Sequence, residues 1–210
     1  MSAISSAHSA PDFLPEPYLC ESRRNCEKLL ESYASIYLKE EIQSESLTRN
    51  LPGFARFLTT GASRIYPFDQ SPDVDSIKHP KLYFFDGGVL NGLLGSFDTS
   101  VVRSGALFEQ SEYSQLINSS ASRDQRLEIS FFRTRGGVEV DFIITLGGKV
   151  WAVEAKAGQV DKGDLDGLRR FREYYPMTHR CIIVSPSEPK RQVDGIVICG
   201  VADMLRELGL

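Results

Sequence analysis

The sequence predicts a mixed α/β domain preceded by a helical extension, on three observations. Apolar segments 128–134 (EISFFRT), 138–146 (VEVDFIITL) and 149–156 (KVWAVEAK) follow one another closely. Gly136-Gly137 and Gly147-Gly148 separate them, as tight hairpins with positive-φ turns require. A helical pattern over 164–174, stopped by Pro176, leads to the buried-type strands 181–185 (CIIVS) and 195–199 (GIVIC).

Taken in order, residues 1–17 are rich in Ser, Ala and Pro and read as a flexible lead-in. Residues 18–62 read as a helical extension. Leu29, Leu30, Tyr33, Ile36, Tyr37, Ile42 and Leu47 recur at three- and four-residue spacing, and Pro52 opens a second short helix. Residues 63–80 carry Pro67, Pro72 and Pro80 with several acids and no period, and read as a linker. An α/β domain is expected over 81–210. It opens with a strand at 81–86 (KLYFFD), a helical piece at 89–94 and a helix over 105–119, and it closes with a helix at 203–208. The second half thus reads α-β-β-β-α-β with one further strand and helix.

Composition limits the function classes. The net charge of -4 argues against a dedicated nucleic-acid binder, since such domains are usually basic. Binding to DNA would have to rest on local Arg/Lys clusters and on metal. Cys20, Cys26, Cys181 and Cys199 form no C-x-x-C pair and no Cys/His metal spacing. They read as reduced thiols of a soluble, cytoplasmic protein. The N-terminus lacks a signal-peptide pattern, and no apolar run approaches the roughly 18 residues of a membrane span. No Walker-type glycine loop is present, so no nucleotide site of that kind is expected.

A register count gives the candidate chemistry. With Gly147-Gly148 as the turn, Leu146 faces Lys149, and counting outward sets Asp141 opposite Glu154. Alternation then gives Lys156 the face of Glu154 and Glu139 that of Asp141, with Val140, Phe142, Ile144, Trp151, Val153 and Ala155 on the core face. Carboxylates opposite one another repel. Either one has a raised pKa or a cation lies between them. A hard divalent ion such as magnesium or manganese suits oxygen ligands of this kind, and Lys156 would orient water or stabilise charge on a phosphate. The competing reading is a solvated strand face, weakened by the apolar run VWAVEAKA around Glu154.

Glu109, in the helix before the sheet, is a candidate third ligand; a solvated helical Glu is the commoner case. Arg169, Arg170 and Arg172 with Lys162, and Arg133 with Arg135, either contact phosphates or form wet faces. Asp86 reads as a turn former, and His79 and His179 as surface residues.

At these residues the chain resembles a known family. GALFEQ, FFRTRGGVEVDFII, VWAVEAKAG and GLRRFREYYP followed by CIIVS resemble the C-terminal domain of a large group of prokaryotic AAA-type ATPases, domain of unknown function 4143. That domain is similar to PD-(D/E)XK nucleases and Holliday-junction resolvases. HPKLYFFDGGVLNGLLG resembles the segment before the nuclease-like core. LPEPYL and LLESYASIYLKEEIQSESLTRNLPGFARFL resemble the helices leading out of the ATPase module. The resemblance implies a restriction-endonuclease-like αβββαβ core. It gives Glu109 the place of the helical acid, Asp141 that of the strand acid, and Glu154 with Lys156 that of the Glu-x-Lys pair. DNA, a partner ATPase or a second copy of the chain are the partners it implies. Two departures stand out: Gln115 replaces a second helical acid, and the short 63–80 segment replaces a winged-helix-like unit. With no ATPase module either, the chain reads as a shortened or split relative. A metal-dependent nuclease, a non-catalytic docking module and a truncated relic are the three functional expectations.

Overall fold

The computed structural model describes residues 22, 24, 25, 28, 62–68, 79–84, 86–94 and 100–210. The lead-in, and the helical readings over 18–62 apart from residues 22, 24, 25, 28 and 62, lie outside the described residues. The chain divides into two compact units, residues 1–63 with 84–103, and residues 64–83 with 104–210. In the first, buried Asp86 precedes helix α1 (Gly87–Leu94) and its backbone carbonyl accepts from the Leu90 N–H at 3.1 Å. The turn-forming role read for Asp86 is thus a helix-starting one.

The second unit is a mixed α/β domain. Strands β1 (Ala62–Ile65) and β2 (Lys81–Phe84) pair with each other. Helix α2 (Val101–Ser122) leads into β3 (Glu128–Arg133), β4 (Glu139–Leu146) and β5 (Lys149–Ala155). A 3-10 turn (Gly163–Leu165) and helix α3 (Asp166–Tyr174) cross over to β6 (Arg180–Val184). Strands β7 (Arg191–Val193) and β8 (Ile196–Cys199) and helix α4 (Val201–Leu208) complete the unit. Six strands form one sheet in the order β3-β4-β5-β6-β8-β7. Pairing is antiparallel from β3 to β5, parallel from β5 through β6 to β8, and antiparallel at β7. Among the described residues, no helix is long and apolar enough to cross a membrane.

Part of the segment read as a linker is ordered structure. Residues 62–65 form β1, and Phe68 N–H and Tyr66 C=O bond to the two backbone groups of Phe131 at 2.7 and 3.2 Å. Ile65 and Phe68 are buried. Two buried side chains were too few to show a period in a proline-rich run. Strand β7 was also missed, because its RQV sequence is polar and partly exposed.

The sheet separates two apolar layers. Tyr113 and Leu116 of α2 and Met204 and Leu208 of α4 pack with Phe131, Phe142, Ile144, Trp151 and Val153. On the opposite side Leu165, Leu168 and Phe171 pack with Phe132, Val140, Ile143, Ala152 and Ile183. The β4–β5 turn follows the sequence reading: Gly147 and Gly148 have φ of 58° and 74°, as a two-residue turn of the hairpin type demands. In the β3–β4 turn only Gly137, at φ 85°, has positive φ; Gly136 does not.

Helix α3 approaches β4 closely at Gly167. A Cβ there would lie 2.4 Å from the Glu139 carbonyl oxygen, a clash with backbone that no rotamer relieves. Gly167→Ala is expected to destabilise the fold by about 2 kcal/mol, read as a lower urea midpoint with an unchanged slope.

Candidate active site

The site begins with an irregularity in β4. Pairing with β5 runs from Leu146↔Lys149 to Phe142↔Val153, in the expected register, and stops there. On the other side, Ser130 pairs with Ile143 but Phe132 pairs with Val140, so Asp141 and Phe142 together stand against Phe131. This is a β-bulge, in which an extra residue breaks the alternation of faces. Two sequence expectations are corrected by it. Val140 packs on the α3 side with Ile143, whereas Phe142 packs on the α2 side. Asp141 does not form a ladder pair with Glu154. Its Oδ2 instead accepts from the Ala155 N–H at 3.1 Å, so a side chain takes a β5 donor where strand pairing has stopped. Bulges commonly re-aim a side chain in this way.

Asp141 Oδ1 reaches an ammonium. Lys81 Nζ, at the start of β2, lies 3.1 Å from Asp141 Oδ1, 3.0 Å from Glu109 Oε1 and 3.1 Å from Glu139 Oε1. Tyr83, two residues on, donates its hydroxyl to Glu109 Oε1 and stacks on Tyr113 with 4.5 Å between ring centroids. Arg133 makes a two-pronged contact with Glu139, at 3.0 Å from Nε to Oε2 and 2.7 Å from Nη2 to Oε1. Helix α2, the β2 strand and the bulge of β4 thus bring three acids around one lysine. The side chains of Lys81 and Asp141 are 17% and 10% exposed, so the attraction is only partly screened.

Electrostatics follows from this packing. Burial works against the Lys81 charge, but Asp141 and Glu109 outweigh it and raise its pKa. Burial of Tyr83, reinforced by Glu109, raises its hydroxyl. Glu139 is lowered: burial opposes ionisation, and the Arg133 hydrogen bond and the Lys81 charge prevail. Asp141 is raised by burial and by the nearby Glu109 charge, against the pull of Lys81 and the Ala155 N–H.

Glu154 sits beside this cluster, on the α3 side by alternation from Val153. Its Oε2 is buried and has no hydrogen-bond partner. Burial and the Asp141 charge push its carboxyl up to about 9. Lys156 follows β5 but turns toward the 3-10 segment, with Nζ 2.7 Å from Asp164 Oδ1. That hydrogen bond is the largest cause of its raised pKa.

The structure therefore gathers Glu109 and Asp141 directly, with Glu154 as neighbour, and directs Lys156 to Asp164. Of the arginines singled out, Arg133 is held by Glu139, Arg169 by Asp166 and Asp194, and Arg170 by Glu173. Arg172 donates to the Asp194 carbonyl, while Arg135 and Lys162 are exposed. A phosphate would have to compete with these acids. His79 and His179 are exposed, and the His179 ring meets Trp151 edge-on at 4.5 Å.

Sequence reasoning missed Lys81, Tyr83 and Asp164. Lys81 and Asp141 stand 60 residues apart, and no local pattern links them. The one available signal was the alternation of KLYF, which puts Lys81 and Tyr83 on one face of a partly buried strand.

Among the described residues, no group of three or more His, Cys, Asp and Glu is disposed to hold a metal ion. One oxygen each of Glu109 and Asp141 is taken by Lys81, and the second Asp141 oxygen by the Ala155 N–H. The unpartnered Glu154 Oε2 next to Asp141 does fit a hard cation. Asp141 and Glu154 thus offer two carboxylates to such an ion, and Glu109 shares Lys81 with Asp141.

Residues 104–203 match the family described as Domain of unknown function (DUF4143). This segment, just under half of the chain, is similar to that family. The curated proteins give no match. Among solved structures, the chain is similar to one titled "Structure of a Type III CRISPR defence DNA nuclease activated by cyclic oligoadenylate". Identity is 16% and the TM-score 0.37, with 95% of this chain and 27% of that chain covered. This chain therefore spans about a quarter of that relative's length.

Proposed function

We propose that the DUF4143 segment is a PD-(D/E)XK nuclease-like core that hydrolyses phosphodiester bonds in DNA with magnesium or manganese. The bulge at Asp141 carries this reading. It interrupts a strand that would otherwise continue its ladder, and it brings an acid from β4 beside acids from α2 and β5 at one end of the sheet. Bulges are over-represented beside active sites, where they re-aim a side chain.

Asp141 and Glu154 would hold the ion, with Glu109 as a further ligand. The ion, when bound, supplies Lewis acidity and lowers the pKa of water. Lys156, released from Asp164, would stabilise charge on a phosphate oxygen. Arg133 and Arg135 lie at the adjoining β3–β4 turn, where they would contact the DNA backbone. DNA cleavage on behalf of a partner ATPase fits the family that the sequence resembles.

The test is cleavage of branched and single-stranded DNA with either metal. Wild type is expected to cut, and Asp141→Ala to lose cutting by at least about a hundred-fold. No cutting of any substrate by wild type would overturn the reading. A second reading, a docking module for DNA or a partner ATPase, is favoured by one observation: Lys81 and Arg133 already pair with Glu109, Asp141 and Glu139. It predicts association that survives Asp141→Ala.

A further inference from the structure

We propose that Lys81 is the resident counter-ion of the acidic site and must leave it before a divalent cation enters. The site then alternates between a lysine-filled, inactive state and a metal-filled one. This inference rests on the metal-dependent reading above and adds regulation to it.

The geometry makes the two occupants exclusive. An ammonium has three N–H donors and no more, and Lys81 Nζ lies within 3.1 Å of one oxygen from each of three carboxylates. Two of those oxygens, Glu109 Oε1 and Asp141 Oδ1, belong to the proposed metal ligands. A divalent ion drawn to the same atoms would meet a fixed positive charge at contact distance, where repulsion in a half-buried site is large. Lys81 also has two supports outside the acids. Its ammonium is 5.6 Å from the centroid of the Phe131 ring, a favourable cation–π separation. Tyr83, on the same strand, anchors Glu109 through its hydroxyl. Meanwhile the Glu154 oxygen, beyond Lys81's reach, stays without a partner. The lysine thus contacts three of the four acids, while one oxygen of the fourth, Glu154 Oε2, keeps no hydrogen-bond partner.

Calorimetric titration of manganese into the full chain tests this, comparing wild type with Lys81→Gln. The variant is expected to bind about ten-fold more tightly, a difference of about 1.4 kcal/mol. Wild-type binding of equal or greater strength would overturn the inference and leave the metal reading standing. Absence of binding in both proteins would overturn the two together. A second measurement needs no variant. Lys81 in wild type is expected to resist acetylation by acetic anhydride without metal and to react faster with manganese present, read by peptide mass spectrometry. Unchanged reactivity at saturating manganese would overturn the inference.

Discussion

Lys81→Gln is expected to lower the stability of the metal-free protein by about 2–3 kcal/mol. Its ammonium contacts Glu109, Glu139 and Asp141 at 3.0–3.1 Å. Removing one partner of a desolvated ion pair typically costs about 3–5 kcal/mol, because the other charge is left behind. The site is partly exposed, and Arg133 still compensates Glu139, so the lower end applies. Urea unfolding at neutral pH measures the loss. The deficit should shrink toward about pH 4, where carboxylates take up protons. A loss below about 0.5 kcal/mol at neutral pH would mean that the three contacts contribute no more than a surface pair.

Glu154→Gln is expected to do the reverse, raising stability increasingly with pH. The folded carboxyl titrates near 9, raised by burial and by Asp141, from an ordinary value of 4.5. A group raised on folding binds its proton more tightly in the native state. Its contribution is therefore full below the ordinary carboxyl range and is lost as pH rises toward about 9. Glutamine keeps the shape and has no proton to lose. The variant should match wild type near pH 5 and exceed it by about 2 kcal/mol at pH 8. Unfolding at several pH values gives the difference directly; parallel profiles would contradict the assignment of this carboxyl.

The sheet was legible because its signals are local. The β4–β5 hairpin register follows from two adjacent glycines, and the parallel strands β6 and β8 show as short runs of Ile, Val and Cys bounded by polar turns. Helix α2 was read short at both ends: its last turn, 119–122, is Ser-rich, so apolar spacing gave no period there. The site was legible only in its parts. Glu109, Asp141 and Glu154 stood out as acids in apolar surroundings, but the bulge that places Asp141 depends on Phe131 opposing two residues at once. No pattern within β4 announces that. Lys81 was invisible for a related reason: its partners lie on two elements distant in the chain, α2 and β4, and only the folded packing brings them around it.

The most direct test of the metal site is calorimetric titration of manganese into wild type and Asp141→Ala, with unfolding curves confirming that both are folded. Saturable binding in wild type, lost in Asp141→Ala, is the expected result. Binding that persists in the variant, or none in wild type at millimolar metal, would contradict a metal site built on the bulge of β4.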